Sequence, residues 1–531
     1  MEIFVEKRSV AYHEDVAGLF AALGGVTATD SVLLESSDID SKKKTLCIGI
    51  LDGAARVTCV GQQVYVEPLT TAGKLIAQRV AEQLAEYLVE QRKDRTVVFA
   101  FPPADELDER KRLQAPNPSW VLRALQLEAG YQGEFLPFLG GAFASDYIET
   151  FEHFASVPPG SNSYPDYQFL LAQTYLRVDH LSEQAVIEAI GVDKEQLHAH
   201  LDQLAQLIDD FHSDYAPLAH TEEKAYAYAE TTDDEFCAQV LKLQENIRQG
   251  DIYQVVPART FRMDCPDAFA AYRTLRETSP SPYMFYVRGH VPAEFGEHIL
   301  GSTTAQDFEL FGASPETNLA FDAHTRQVEL YPVAGSIPRG LNPDGTVNHE
   351  LDIRAELEMR SNAKEIAEHI MLIDLARNDL ARIAQPATRK VAEFMKVDRY
   401  SRIMHLVSRV VATLDTDLDA LDAYRACMNM GTLTGAPKLR AIELIREVEG
   451  TRRGSYGGAV GYLSGNGSMD TCIVIRSAFV RGGTAFVQAG AGVVRDSVPI
   501  KEAYESYHKA YATLSAIAQA QGKKIEVITH D

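Results

Sequence analysis

Toward the end of the chain, strand follows strand with no helix between them. GAVGYLS, TCIVIRSAFV and TAFVQAGAGVV come in succession, and one helix follows after SVP. The blockwise order recurs upstream. Short β-rich runs (KTLCIGILD, ARVTCVG, TVVFAF) and the alternating YQFLLAQTYLRVDH stand apart from helical stretches such as LIAQRVAEQLAEYLVEQRK, and residues 181–215 read as helical through KEQLHAHLDQLAQLIDDFH. Elements in blocks favour an α+β fold over a doubly wound parallel sheet.

The polar segment SDYAPLAHTEEKAYAYAETTDD, with a Pro and no clear period, reads as the main boundary, giving an N-terminal domain over 1–220 and a C-terminal one over 231–531. Beyond it, EFCAQVLKLQENIRQGD is an amphipathic helix ending at Gly250, and IYQVVPARTFRM and FYVRG read as strands. NAKEIAEHIMLIDLARNDLARI is the strongest helix, with Ile366, Ile370, Ile373 and Leu380 on one stripe. No repeat of 20–50 residues is evident, which excludes solenoids and propellers. At 46% hydrophobic and 24% charged residues the 531-residue chain has the balance of a globular protein. Its formal net charge of −24 repels nucleic acid and anionic membrane while leaving room for a locally positive pocket. The six cysteines form no C-x-x-C pair, and neither a signal peptide nor a spanning segment is visible, so the expectation is a cytoplasmic enzyme with reduced thiols.

Two glycine-rich segments fail as phosphate loops. QAGAGVV has Gly490 and Gly492 but Arg495 where a third glycine belongs, and in GTLTGAPK two residues separate Gly435 from Lys438. A Gly-x-Gly after a strand still lets backbone amides approach a carboxylate, and a plain turn explains the local sequence equally well. Glu365 and Glu368, and again Glu502 and Glu505, lie three apart on helix faces. Such pairs suit a hard cation such as magnesium; from spacing alone the commoner outcome is a helix cap after Asn362 and a first-turn acid after Pro499. Glu316 follows a Ser-Pro turn in FGASPETNL. His405 sits in the apolar SRIMHLVSRV, where a satisfied core histidine is the commoner outcome. Arg476 interrupts the apolar CIVIRSAFV, and a buried Arg demands an anion, either a ligand carboxylate or a structural acid.

Many blocks in one order carry a resemblance: FGASPE, YPVAGSIPRG, LEMRSNAKEIAEHIMLIDLARNDLARI, KVDRYSRIMHLVSRV, CMNMGTLTGAPK, RRGSYGGAVGY, DTCIVIRSA and QAGAGVVRDSVP. Together they resemble the chorismate-utilising enzymes, above all the anthranilate synthase component I family. The match is dense from about Asp251 to Glu505 and looser through LLESSDIDS, FLGGAFASDYIETFE and YPDYQFLLAQTYLRVDH. The resemblance implies a large mixed or antiparallel β-sandwich surrounded by helices. It also implies magnesium-dependent amination of chorismate followed by pyruvate elimination, the first committed step toward tryptophan.

The resemblance further implies roles. Glu368 and Glu505 match metal ligands, with Glu365 and Glu502 beside them. Ser336, Thr432, Tyr456, Arg476, Gly490 and Gly492 match substrate-binding positions. Glu316 matches the acid that assists loss of the ring hydroxyl, and His405 the residue tied to elimination; His369, beside a metal ligand, is the weaker candidate for that base. Gln254 stands where water-using siblings carry a Lys, and Ala334 where aminodeoxychorismate synthases carry one, so both positions point to ammonia as nucleophile and to anthranilate as product. The competing readings are a sibling chorismate enzyme and a non-catalytic amino-acid sensor. Ser336, Ser145 and Ser279 depart from the residues common in the family, the last two at positions expected to lie away from the chemistry.

Feedback by tryptophan is implied through Glu35, Ser36, Lys44, Pro282, Tyr283, Met284, Phe285 and Cys472, with Glu35 and Ser36 receiving the ammonium. No glutaminase signature is visible in the sequence. A separate glutamine amidotransferase subunit is therefore expected, in a heterotetramer of two large and two small subunits.

Overall fold

The computed structural model describes residues 2–38, 44–103, 106, 108–213, 221–295, 304–342, 346–399 and 403–530. Its strands form two antiparallel layers that share two long members, Lys44–Val60 and Tyr167–Asp179. In one layer, Ser31–Ser37 lies between Lys44–Val60 and Tyr283–Val291; the order then continues through Gln306–Ser314, Ser477–Arg481, Thr484–Gly490, Ala258–Asp264 and Lys224–Ala229. In the other, Phe138–Phe143 joins Tyr167–Asp179 to Ala459–Ser464, followed by Met469–Ile473, Thr317–Asp322, Gln327–Leu330 and Ile403–Thr413. The one parallel pairing among the described strands joins Lys224–Ala229 to Lys524–Ile528. The expected α+β sandwich is what forms.

The shared strands change layers by bending. Register shifts cluster between Ile50 and Ala55, around Gly53, where a side chain would press to 2.3 Å from Leu170. Bulges of this kind turn a strand from one sheet into the next. The largest apolar cluster includes Phe99, Phe143, Tyr167, Phe169 and Tyr424; a second, with Phe20, Phe261, Tyr272 and Tyr286, lies under the helices Ala268–Thr278 and Pro499–Gln519.

Several sequence expectations are corrected. LVEQ leaves the expected 75–93 helix, which ends at Gln83, and pairs as Leu88–Gln91 with Val97–Ala100; hairpin pairing overrides helix propensity here. Gln184–Gly191, inside the region read as helical, is a strand held between Phe4–Val10 and Tyr167–Asp179. KAYAYA, read as boundary, alternates buried and exposed positions as the strand Lys224–Ala229. The layers also join the two expected domains directly, through Ser31–Ser37 against Tyr283–Val291 and Phe138–Phe143 against Ala459–Ser464.

Other details match the reading. The amphipathic helix Asp233–Gln249 opens with a Thr232–Glu235 capping box and ends at Gly250, whose φ of 87° suits a residue without a side chain. The helix Ala363–Ala381 buries His369, Leu372, Ile373, Ala376 and Leu380, whereas Ile370 is exposed, so the buried stripe is rotated from the expected one. All six cysteines are free thiols. Among the described residues no helix is long and apolar enough to cross a membrane.

Candidate active site

A cavity of about 520 Å³ gathers side chains from both layers and from two helices. Glu316 reaches it from the turn between Gln306–Ser314 and Thr317–Asp322, His405 from Ile403–Thr413, and Arg476 from the turn before Ser477–Arg481. Thr432, Tyr456, Gly490 and Gly492 complete the expected substrate wall, and the helices Ala363–Ala381 and Pro499–Gln519 bring Glu365, Glu368, Glu502 and Glu505. Every expected catalytic, substrate-binding and metal residue lines this cavity except Ser336, whose side chain lies outside the described residues.

Electrostatics separates these groups by role. Burial pushes the Glu316 carboxyl up to about 8, although the Thr432 hydroxyl donates to Glu316 Oε1 at 2.8 Å and the charges of Lys509 and Arg476 pull downward. Glu316 is therefore a neutral acid at neutral pH. Burial, Arg476 and Lys509 together push His405 down to about 3, so its imidazole is uncharged. Arg476 takes a φ of 51°, the left-handed region that costs a side-chain-bearing residue energy. Its guanidinium makes no hydrogen bond to any described residue. Burial lowers its pKa, against the pull of Tyr456, Glu505 and Glu316. A cation held this way suits an incoming carboxylate.

The metal-side wall is built by close backbone approach. A side chain at Gly492 would come within 2.9 Å of Gln254 Nε2 and 3.4 Å of Glu368 Oε1, so glycine lets these two pack beside the chain. Gln254 Nε2 donates to Glu368 Oε1 at 2.7 Å, and Lys509 Nζ bridges Glu505 Oε1 at 2.6 Å and the Gly490 carbonyl at 3.0 Å. Both helix explanations also hold: the Glu365 amide donates to Asn362 Oδ1, and Glu502 sits in the first turn after Pro499. Capping and cavity-lining are compatible, because one uses the backbone and the other the side chain. Among the described residues no three His, Cys, Asp or Glu converge into a ready cation cage.

His369 is a positioning residue. It is fully buried, with Nε2 at 2.7 Å from Ser408 Oγ and Nδ1 at 3.2 Å from the Ala334 carbonyl, and burial pushes it down to about 4. It pins the helix carrying Glu365 and Glu368 to the strands Val333–Pro338 and Ile403–Thr413. The GTLTGAPK loop is positioned likewise: Lys438 Nζ bonds Asp379 Oδ2 and the Cys427 carbonyl, both at 2.8 Å, and holds the loop that presents Thr432. Sequence reasoning missed Lys509, Lys501, Tyr504 and His508 on the cavity wall. The signal was available, since Lys501, Glu502, Glu505, His508 and Lys509 recur at helical spacing.

The two regulatory segments meet as neighbouring strands, with Glu35 opposite Met284 and Ser36 opposite Tyr283. Glu35, Ser36, Tyr283, Met284, Phe285 and Cys472 line a small cleft there. Lys44 and Pro282 do not line it: Lys44 Nζ donates to the Glu14 carbonyl, and the Pro282 carbonyl accepts from the Ser37 amide. Glu35 corrects the expectation. Its oxygens accept from Arg276 Nε at 2.7 Å, Arg276 Nη2 at 2.8 Å, the Tyr272 hydroxyl at 2.5 Å and Cys47 Sγ at 3.2 Å. Those bonds fill a carboxylate's acceptor sites and leave none for an ammonium. Burial alone would raise this carboxyl, yet Arg276 and its companions hold it below the usual range. Ser279 is also corrected: it does not lie away from the chemistry but lines a cavity that includes His405 and Arg476. Ser145 is buried and accepts from Asn429 Nδ2.

Comparison with known proteins agrees with this geometry. Residues 66–515 match the family model described as chorismate binding enzyme. The chain is 46% identical to anthranilate synthase component 1 of Vibrio parahaemolyticus, covering 98% of this chain and 94% of that protein, and 45% identical to that of Escherichia coli K12, covering 96% of each. The crystal structure of anthranilate synthase component I from Streptococcus pneumoniae superposes with a TM-score of 0.68 at 26% identity, covering 88% of this chain and 92% of that one. The menaquinone-specific isochorismate synthase of Escherichia coli, at 16% identity and a TM-score of 0.65, shares the fold. The chain thus belongs to the chorismate-binding enzymes and, within them, to the anthranilate synthase component 1 family.

Proposed function

We propose that the chain converts chorismate and ammonia into anthranilate and pyruvate with magnesium, that a partner glutamine amidotransferase supplies the ammonia, and that tryptophan inhibits the reaction from the cleft between Ser31–Ser37 and Tyr283–Val291. The observation carrying this reading is one cavity that holds a neutral carboxyl, Glu316, across from a guanidinium, Arg476, with no hydrogen bond to a described residue. Chorismate is a dianion with a ring hydroxyl to lose, and it needs both.

Arg476, Lys509, the Tyr456 hydroxyl and the backbone around Gly490 and Gly492 take the carboxylates. Glu316 gives its proton to the departing hydroxyl, which leaves as water while ammonia bonds to the ring. Neutral His405 then removes the ring proton as the enolpyruvyl C–O bond breaks, giving aromatic anthranilate and, after protonation, pyruvate. A conjugate acid near 3, held down by burial first and then by Arg476 and Lys509, makes His405 a weak base; a dianion that neutralises Arg476 and Lys509 removes the latter two causes. Gln254 cannot deprotonate water, and Ala334 cannot attack the ring, so ammonia is the nucleophile.

The residues present fit magnesium: two helices put four glutamates on one wall, and this ion takes one or two carboxylates and keeps places for water and substrate oxygens. Glu368 and Glu505 would hold it. Bound there, it would neutralise the ring carboxylate and draw electrons from the ring.

The test is direct. The chain alone, given chorismate, a magnesium salt and ammonium, should produce anthranilate fluorescence with one pyruvate per anthranilate. A folded chain that produces neither sinks the reading.

A further inference from the structure

Beside the catalytic cavity lies a second one of about 340 Å³, and the two share Pro315, His405, Arg476, His508 and Lys509. They differ in carboxylate content. The first is walled by five glutamates. The second has no carboxylate among its described lining residues, although the whole chain carries a net charge of −24. Its inner end offers the cations of Arg476 and Lys509 and the imidazoles of His405 and His508; its outer wall adds hydroxyls from Ser279, Tyr511 and Ser515. Arg476, which makes no hydrogen bond to a described residue, and Lys509, shared with Glu505 on the first cavity's wall, are backed here by neutral donors, and such a set suits a small carboxylate.

We propose that this second cavity binds a small 2-oxo acid anion and is the exit for the pyruvate released at His405. The inference rests on the proposed reaction, in which the three-carbon fragment is cut loose at His405. That residue lines both cavities, so the fragment is freed at their common wall. The first cavity sets Glu365, Glu368, Glu502 and Glu505 beside the shared cations, whereas the second surrounds Arg476 and Lys509 with hydroxyls and no carboxylate among its described lining residues. Ammonia is a poorer match for this route, because a neutral nucleophile gains nothing from cations.

The experiment uses the full chain and two variants in the outer lining, neither in the catalytic machinery. Ala512→Phe fills the cavity from the helix Pro499–Gln519, and Ser515→Glu puts a carboxylate into it without disturbing helix propensity. Two readouts are taken: inhibition of anthranilate formation by added pyruvate, and retention of labelled pyruvate in equilibrium dialysis without chorismate. The expected results are noncompetitive inhibition against chorismate in the wild type, a pyruvate inhibition constant raised at least tenfold in each variant, and a chorismate KM within twofold. Competitive inhibition, or an unchanged inhibition constant in both variants, overturns the proposal. If the wild type makes no anthranilate but retains pyruvate in dialysis, the anion site stands and the reaction reading fails.

Discussion

The Thr432 hydroxyl donates to Glu316 Oε1 across 2.8 Å, tying the loop after the helix Ala420–Cys427 to the turn that presents the acid. This bond favours the ionised form, so it works against the burial that keeps Glu316 protonated. A general acid acts only while protonated. Chorismate consumption should therefore decline as pH rises through about 8 in the absence of other changes in the site. Thr432→Val should move that limb to higher pH, and Glu316→Gln should lower kcat by about 10²–10⁴-fold. A Thr432→Val profile unmoved or shifted toward acid would contradict the assignment.

Replacing Arg476 separates binding from stability. Arg476→Met should raise the chorismate KM about a hundredfold, on the order of the ~3 kcal/mol that a charge-assisted pair of bonds contributes. The same change removes a partly buried charge that makes no hydrogen bond to a described residue, so the melting temperature of the substrate-free protein should hold or rise. A large drop in melting temperature would show that Arg476 has a structural anion after all.

Metal dependence is checked with Glu505→Gln. Its carboxylate is about half-exposed, and exposed ion pairs such as that with Lys509 are worth ~0–1 kcal/mol, so the variant should fold normally. Turnover should nonetheless fall at least a hundredfold, as should that of the wild type treated with a chelator. Normal magnesium-dependent turnover by Glu505→Gln would exclude it as a ligand.

His405→Met keeps side-chain length and removes the base. Chorismate should still be consumed, pyruvate should hardly appear, and the aminated, non-aromatic intermediate should accumulate on chromatography. Equal loss of both activities with the fold intact would make His405 a positioning residue instead.

Feedback and folding separate in the regulatory cleft. Ser36→Phe should relieve tryptophan inhibition with turnover largely intact, because it crowds the strand opposite Tyr283. Glu35→Ala should instead destabilise the whole protein by about 3–5 kcal/mol, since it leaves Arg276 buried and uncompensated. A calorimetric melting temperature unchanged in Glu35→Ala would argue against that pair as a structural anchor.

What was legible in the sequence followed from local constraint. The blocks of strands and helices pointed to an α+β fold, and Arg476 stood out as a charge in an apolar run. The catalytic, substrate-binding and metal residues that the resemblance picked out, Ser336 apart, line one cavity, and six of the regulatory residues line a separate cleft. The misreadings have one cause: partners distant in sequence decided the outcome. LVEQ became a strand because Val97–Ala100 pairs with it, and KAYAYA because Ala258–Asp264 and Lys524–Ile528 flank it. Glu35 looked free to hold an ammonium because nothing local shows that Arg276 lies against it. Lys509 was overlooked although it stands one helical turn beyond Glu505, since a lysine there reads as an ordinary i,i+4 pair.

The strands Lys44–Val60 and Tyr167–Asp179 belong to both layers, and this limits how such a protein can be divided or exchanged. A fragment beginning at residue 231 would keep nearly every group the chemistry uses, yet Tyr283–Val291 and Ala459–Ser464 would each lose a hydrogen-bonded neighbour and present a raw sheet edge. The catalytic half is thus not a portable cassette. Truncation at that point should yield aggregates, and a chimera between relatives should tolerate crossovers only where both shared strands come from the same parent.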